Sequence, residues 1–204
     1  MKRIVGLFLS LGLGVSAQAA PDAALQALLA DPAARQAAEA AGKKAVFFCA
    51  NCHGENGVSK LPEVPNLAGQ NPAYLLEQIR KFGNGQRRDE FMQGLIKVLK
   101  DDERLQMSVF YASQQPLPGK QEAAQVAAGK VMYEKLCWRC HGEQARGSEI
   151  IPRLASQHPE YLATAVIRYR DKTGERRDPQ MSSAVAPLRD EDIKAIAAYL
   201  NTLP

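Results

Sequence analysis

Apolar positions recur at intervals of three and four residues in several separate stretches of the chain. Residues 74–82 and 161–169 both show this spacing, and the alanine-rich stretch 123–136 continues it over several turns. Residues at this spacing lie on one face of an α-helix. No stretch alternates apolar and polar residues among β-branched types, which is the pattern of a half-buried strand. The hydrophobic pattern therefore predicts an all-α protein.

Two acidic triplets mark the starts of two further helices. Residues 101–103 are Asp-Asp-Glu, residues 190–192 are Asp-Glu-Asp, and apolar residues at helical spacing follow each triplet. Acidic side chains are favourable in the first turn of a helix because they face the positive end of its dipole. The segment 51–72, by contrast, shows no period and is long for a loop in a small helical domain. We expect something inside the domain to organise that loop.

The chain also repeats itself over a long period. Cys49 lies 88 residues before Cys137, and residues 65–70 parallel residues 152–157 at an offset of 87. A period of this length indicates a duplicated domain rather than a solenoid of short repeats. Two prolines and a glycine near residue 118 indicate the linker. The predicted divisions are a signal peptide over 1–19, an alanine-rich N-terminal extension over 20–40, a first domain over 41–115, a linker over 116–121 and a second domain over 122–204.

The start of the chain has the layout of a secretory signal peptide. Lys2 and Arg3 give a positive beginning, residues 4–15 are apolar, and residues 16–19 end in an Ala-x-Ala pattern. Such a segment is removed on export, and its apolar run is too short to span a bilayer comfortably. We therefore expect cleavage near Ala19 and a periplasmic mature protein. An uncleaved membrane anchor is the alternative that this pattern leaves open.

Composition and charge narrow the classes of partner. With 204 residues, 46% of them hydrophobic and 24% charged, the chain has the composition of an ordinary globular protein. The formal net charge is only +4 and no dense run of Lys and Arg occurs, so we expect no nucleic-acid partner. Residues 20–117 carry 11 basic and 11 acidic side chains, whereas residues 118–204 carry 13 and 11. This difference affects how the protein would orient toward a partner.

All four cysteines belong to two copies of one motif. The copies are Cys49-x-x-Cys52-His53 and Cys137-x-x-Cys140-His141. C-x-x-C-H is the attachment signature of c-type haem. Because residues three and four apart share a face of a helix, both thiols and the imidazole can meet one flat group. We expect two covalently attached haems, with the thiols forming thioethers to the vinyl groups and each histidine binding the iron.

Three other uses of these cysteines compete with haem attachment. A thioredoxin-type Cys-x-x-Cys needs a βαβ context, which the pattern does not show. A zinc site usually pairs one Cys-x-x-Cys with a second pair further on, and the histidine directly after each pair argues against it. Two structural disulfides are the third option in an exported chain. Two motifs in register with a domain repeat favour haem over all three.

The repeat selects the candidates for the sixth ligand of each iron. Haem iron in electron carriers takes such a ligand, and methionine opposite histidine raises the reduction potential. Met92 and Met181 correspond in the repeat, each after an Arg-Arg-Asp turn, and we predict that they are the ligands. Met107 and Met132 lack this register. We expect them to pack in the interior, where methionine fills irregular gaps.

Several neighbouring residues have predicted supporting roles. The carbonyls of Pro65 and Pro152 are candidates to accept from the ring N–H groups of His53 and His141 and so to orient the rings. His158 has no ligand role in this scheme, because the first unit has asparagine at that position. Four further residues are candidates to contact the haem propionates: Tyr74, Tyr161, Arg87 and Arg176. For the two arginines, solvated surface charge is an equally favoured interpretation.

Together these residues resemble the class I cytochromes c, and the duplicated form resembles the cytochrome c4 family. The resemblance rests on Cys-Ala-Asn-Cys-His-Gly at 49–54, Pro-Asn-Leu-Ala-Gly-Gln at 65–70, the helix from Tyr74, the Arg-Arg-Asp and Met segment and the closing helix. It covers residues 41–204 and implies two tandem all-α domains, each a few helices wrapped around a covalently bound haem. It also implies histidine and methionine ligation of both irons. The extension before residue 41 is a departure from shorter members of the family.

The resemblance implies an electron carrier with no catalysis of its own. The expected partners are redox proteins, with a quinol-oxidising membrane complex as donor and a terminal oxidase or other reductase as acceptor. Peripheral association with the membrane stays open. The main alternative is a haem subunit or enzyme, of the peroxidase or sulfur-compound dehydrogenase type, with one open iron position. A third alternative uses the haems only as core filler.

Overall fold

The computed structural model describes residues 22–173 and 178–204, and throughout these ranges the secondary structure is helical without strands. The predicted all-α class is confirmed. The predicted signal peptide lies outside the described residues. No helix in the described ranges has both the length and the apolar character that crossing a bilayer requires.

The helices are, in chain order, α1 (Ala23–Ala30), α2 (Pro32–Ala45), α3 (Ala50–His53), α4 (Pro72–Gly83), α5 (Glu90–Lys97), α6 (Asp101–Ser113), α7 (Ala123–Leu136), α8 (Trp138–His141), α9 (Pro159–Asp171), α10 (Pro179–Val185) and α11 (Asp190–Thr202).

Each half is closed by a pair of helices that cross at a glycine. Helix α2 packs on α6 in the first half, and α7 packs on α11 in the second. A Cβ atom at Gly42 would lie 2.2 Å from the carbonyl oxygen of Gln106, and one at Gly129 would lie 1.9 Å from that of Ala195. Only glycine lets the two backbones approach this closely. The crossing joins the beginning of each half to its end.

The predicted N-terminal extension forms two helices that pack on the first half. Asp22 caps α1, accepting from the backbone N–H of Leu25 at 2.8 Å, and Leu25 itself is fully buried. Asp31 then caps α2, with Pro32 in the first turn. Helix α2 continues through residues 40 and 41, so the predicted boundary between extension and first domain falls inside one helix. The domain boundaries themselves stay a prediction.

The predicted linker is extended and packed against the second half. Gly119 donates its backbone N–H to the carbonyl of Asn201 at 2.9 Å, and the Gln121 side chain donates to the Asn201 side chain at 2.9 Å. A Cβ at Gly119 would lie 2.0 Å from that side-chain oxygen. The connection between the halves is therefore held in place by the final helix, α11.

The two halves meet through a reciprocal pair of glutamines. Gln70 donates to the carbonyl of Arg153 and accepts from its N–H, both at 2.8 Å. Gln157 makes the same two contacts with the backbone of Asn66, at 2.9 and 2.7 Å. Gln70 and Gln157 are equivalent in the sequence repeat, as are Asn66 and Arg153. The interface is thus built from the same residues of both repeats, related by an approximate twofold exchange.

Candidate haem-binding sites

Each C-x-x-C-H motif forms one short helical turn. The N–H of His53 bonds to the carbonyl of Cys49 at 2.9 Å, and that of His141 to the carbonyl of Cys137 at 3.1 Å. The first cysteine and the histidine are therefore one turn apart on the same face. A glycine with positive φ, Gly54 at 79° or Gly142 at 80°, ends each turn, and this left-handed conformation favours glycine. The spacing in the sequence thus places the first cysteine and the histidine of each motif on one face of the helical turn.

The predicted proline carbonyls orient both histidine rings. Nδ1 of His53 lies 2.9 Å from the Pro65 carbonyl oxygen, and Nδ1 of His141 lies 3.1 Å from that of Pro152. This contact requires Nδ1 to carry the proton, which leaves the Nε2 lone pair free to bind a metal. Both rings are buried, and burial lowers the pKa of each. Neutral imidazole is the form that binds iron.

Those carbonyls are held by the long loop that showed no period in the sequence. The Gly57 carbonyl accepts from the N–H groups of Leu67 and Ala68, at 2.7 and 3.0 Å. In the second half, Ala145 accepts from the two residues after Arg153 at 2.7 and 3.1 Å. Each loop is therefore pinned directly after its proline. The backbone bonds and the histidine contact together give residues 54–71 a fixed course without helix or strand, whereas residues 51–53 and 72 of the expected loop belong to α3 and α4.

The first cysteines of the two motifs, Cys49 and Cys137, are half-buried, as is Cys52, whereas Cys140 is exposed. Burial raises the pKa of Cys49, and burial together with the charge of Cys140 raises the pKa of Cys137 to about 11. A raised pKa disfavours the thiolate form of Cys49 and Cys137, whereas a thioredoxin-type redox cysteine has a lowered pKa. In the part of the chain that the structure describes, no three His, Cys, Asp or Glu side chains converge as metal ligands. The convergent geometry of a zinc site is thus not found there.

Met92 and Met181 occupy the same place in two short helices. Asp89 caps α5 and accepts from the N–H of Met92 at 2.9 Å, and Asp178 caps α10 and accepts from that of Met181 at 3.0 Å. The sequence predicted a turn at this point, and the structure adds that each methionine lies in the first turn of a helix. Met107 is buried among core residues, as expected of packing.

The predicted propionate contacts fall near the boundary between the halves. The Arg87 guanidinium lies 4.2 Å from the centre of the Phe82 ring and donates to Gln78 at 3.1 Å. Burial raises the pKa of Tyr161 to about 12, and the charge of Arg87 opposes that rise. Arg87 of the first half is therefore close enough for its charge to act on a tyrosine of the second half. Arg176 lies outside the described residues.

His158 serves the interface rather than an iron site. Its Nε2 lies 2.9 Å from the carbonyl oxygen of Ser59 in the other half. Asn71, at the equivalent position, donates to the carbonyls of Ser148 and Ile151 at 2.5 and 3.0 Å. The repeat predicted no ligand role for His158, and its placement at the interface agrees with that prediction.

Sequence reasoning missed the glutamine pair and one half-buried arginine, Arg153. Gln70 and Gln157 stand in register in the repeat, and that register was the signal that could have identified them. Arg153 follows Pro152 directly, and its Nε is buried without a hydrogen-bond partner within the described ranges. A buried donor without an acceptor fits a site that holds a group bearing carboxylates, as haem does. The residues present therefore suit the predicted cofactor.

Comparison with known proteins gives consistent likenesses. A family model described as cytochrome c matches residues 126–204. Cytochrome c4 of Pseudomonas aeruginosa is 31% identical over 214 aligned positions, covering 99% of this chain and 98% of that protein. The crystal structure of reduced recombinant cytochrome c4 from Pseudomonas stutzeri superposes with a TM-score of 0.74 at 27% identity, over 80% of this chain and 97% of that one. The thiosulfate dehydrogenase electron acceptor of Thiomonas intermedia is 29% identical, covering 84% of this chain and 85% of that protein.

These likenesses fix the cofactor. The protein carries covalently bound c-type haem, with one C-x-x-C-H site in each half. The expectation drawn from the cysteine spacing is confirmed.

Proposed function

This chain belongs to the cytochrome c4 family, and on that premise we propose that it is a periplasmic carrier that moves electrons from a quinol-oxidising membrane complex toward a terminal oxidase or other reductase. It is a two-haem electron-transfer protein that acts with redox partners. The export signal read from the first nineteen residues supports the periplasmic location.

We assign the residues of the two sites as follows. The thiols of each motif would hold the haem through thioether links, and the imidazole Nε2 of its histidine would bind the iron. Met92 and Met181 would each bind an iron through a soft and neutral thioether sulfur. Haem held by these residues would supply a one-electron redox centre in each half. The eight assigned residues are Cys49, Cys52, His53, Met92, Cys137, Cys140, His141 and Met181.

The observation that carries the proposal is the placement of both histidine-orienting loops against one interface. Asn66 and Arg153 directly follow the prolines whose carbonyls hold the histidine rings. The same two residues bond to Gln157 and Gln70 across the boundary between the halves. A fixed interface of this kind keeps His53 and His141 in one rigid frame. Such a frame suits transfer of an electron from one site to the other.

A carrier needs no open position on either iron, so we propose that the protein has no catalytic activity of its own. The likeness to a thiosulfate dehydrogenase electron acceptor supports a sulfur-oxidising enzyme as a second class of donor. An enzyme or enzyme subunit would instead need one iron with an exchangeable position. The ligand state of each iron therefore separates the two functions.

The test replaces each proposed methionine ligand in the two-haem protein. Met92→His and Met181→His should each keep two covalent haems, lower the potential of one haem and abolish its methionine–iron absorption band. Met107→Leu is the control, a nearly volume-conserving change of a buried methionine that should alter neither potential.

Carbon monoxide binding to the reduced wild-type protein completes the test. A carrier with both irons six-coordinate should bind little carbon monoxide. Stoichiometric binding at one haem, or a methionine variant that leaves its spectrum unchanged, would favour the enzyme and contradict the assignment.

A further inference from the structure

Two arginines lie beside the second histidine site, where two parts of one loop touch. The N–H of Gly147 bonds to the carbonyl of His141 at 2.9 Å. A Cβ at Gly147 would lie 2.6 Å from the carbonyl carbon of Pro152, so the backbones are in direct contact. Arg146 directly precedes Gly147 in the chain, and Arg153 directly follows Pro152. The fold therefore brings two cations to the same edge of the site.

Neither arginine side chain has an acidic partner among residues 22–173 and 178–204. Arg153 is only partly exposed, and its Nε is buried without a hydrogen bond. Burial, and then the charge of Arg146, lower the pKa of Arg153. Two like charges at one site, one of them partly buried, are unfavourable unless an anion joins them. The surroundings of Arg153 thus call for a carboxylate or similar group.

The first half has no such pair at the equivalent positions. The matching backbone bonds to Gly57 and Ala145 align Arg146 with Val58 and Arg153 with Asn66. The Asn66 side chain is bonded at both its oxygen and its nitrogen, accepting from Ser59 N–H at 2.9 Å and donating to the Ser156 carbonyl at 2.8 Å.

Arg87 is a cation near the first site, where burial and then its charge lower the pKa of His53, and it already has partners. Its guanidinium donates to Gln78 and stacks on Phe82. An unpartnered arginine beside the histidine-orienting proline is therefore a feature of the second half within the described chain.

We infer that Arg146 and Arg153 form a clamp for one propionate carboxylate of the second haem. This inference rests on the proposed two-haem carrier and extends it to residues that nothing in the motif specifies. The planar guanidinium of arginine matches the two oxygens of a carboxylate, and the pairing satisfies the buried Nε. Positive charge close to a haem also favours its reduced form, because the reduced iron carries one positive charge less. The clamp therefore raises the potential of the second haem.

The experiment is a spectroelectrochemical titration of the full two-haem protein, with the second haem identified by its response to Met181→His. Arg153→Met should lower the reduction equilibrium constant of the second haem about tenfold, which is 59 mV for one electron, and leave the first haem unchanged. Arg146→Met should act in the same direction with a smaller effect, because Arg146 is exposed. Arg153→Lys should restore most of the potential. The propionate bending band in resonance Raman spectra should shift in Arg153→Met.

Lys120→Met is the control, since Lys120 is an exposed cation of the linker, outside both the motif and the loop that carries Arg146 and Arg153. An equal shift in Lys120→Met, or no shift in Arg153→Met with both haems present, would overturn the clamp. If Arg153→Met loses the second haem, Arg146→Met carries the same test. The proposed function fails separately, if the wild-type protein does not show two reversible one-electron transitions.

Discussion

The two halves share one helix order but are packed differently. In the second half, one cluster of 11 buried residues joins helices α7, α9 and α11. The described part of the first half has two separate clusters, of five and four buried residues. The second of these exists because α1 covers the first half, placing Leu25 among Leu76 and Val109. The comparison shows that a duplicated sequence kept its haem motifs while its interior diverged.

The groove that α1 covers in the first half shows where the residues of the two halves differ. The residues that α1 covers in the first half are apolar and include Leu76, Leu105 and Val109. The repeat places Ala163, Lys194 and Ala198 at these positions, and they line a surface cavity of about 390 Å³ in the second half. The positions under α1 are apolar because burying apolar surface is favourable. The equivalent positions in the second half are not covered by a helix of the described chain, so lysine and small residues are tolerated there.

Two tyrosines show a compensating exchange inside the helix crossing. Tyr133 of α7 corresponds in the repeat to Val46, and Tyr111 of α6 corresponds to Leu200. At these two positions each half therefore has one tyrosine and one aliphatic residue, on opposite sides of its helix crossing. Close packing allows such an exchange because the summed volume changes only by the methylene group that distinguishes leucine from valine. The hydroxyl groups differ, since that of Tyr133 donates to the Gly142 carbonyl at 2.6 Å, whereas that of Tyr111 is buried without a partner among residues 22–173 and 178–204.

The largest expected effect comes from removing one haem at a time. Cys49→Ala with Cys52→Ala should leave the first half largely unfolded, because its protein core is divided and a domain of this size buries only roughly 60% of its surface. Cys137→Ala with Cys140→Ala should leave more helix, because the 11-residue cluster remains. Far-ultraviolet circular dichroism with haem quantitation measures both. Equal residual helicity in the two double variants would break the comparison.

The second prediction isolates α1. Leu25→Ala should lower the free energy of unfolding of the first half by about 2–5 kcal/mol, the cost of truncating a fully buried leucine. The second half should be unaffected, because its corresponding groove holds no helix of the described chain. Thermal unfolding monitored at each haem separates the halves. Leu117→Ala, at a position 60% exposed, is the control and should change little.

The third prediction concerns the glycine crossings, where the halves are alike. Gly42→Ala and Gly129→Ala should each destabilise their own half by about 1–3 kcal/mol, since the new Cβ would overlap a backbone carbonyl of the partner helix. Denaturant titration measures the loss. Gly94→Ala is the control, because no atom lies within 4 Å of its Cβ and alanine favours a helix. A destabilised control with unaffected crossings would contradict the helix pairing.

The smallest expected effect distinguishes the two tyrosine hydroxyls. Tyr133→Phe should cost about 0.5–1.5 kcal/mol, because it removes a hydrogen bond and leaves the Gly142 carbonyl without that donor. Tyr111→Phe should be neutral or stabilising, because the buried hydroxyl has no partner to lose within the described chain. Equilibrium unfolding of both variants tests the difference. A larger loss for Tyr111→Phe would show that its hydroxyl is bonded in the haem-bound protein.

Most of the fold class and the centre of each site could be predicted from the sequence. Helices α4, α6, α7, α9 and α11 follow from apolar spacing and acidic first turns, which are local signals. The contact of His53 with Pro65 could also be predicted, because the motif and the proline lie only 12 residues apart and recur in the repeat. The 88-residue period then supplied a second copy of the motif and its neighbouring residues for comparison.

Only the tertiary structure decided which residues meet across long separations. Gly42 and Gln106, Leu25 and Val109, and Gln70 and Arg153 are paired by helix crossings and by the interface, not by any local pattern. A glycine, leucine or glutamine in a helix or loop has many possible uses, and its type alone does not select one. Arg153 shows the limit most clearly. Its sequence position suggests surface charge, whereas the packing of Gly147 on Pro152 buries part of it beside a histidine and leaves it in need of an anion.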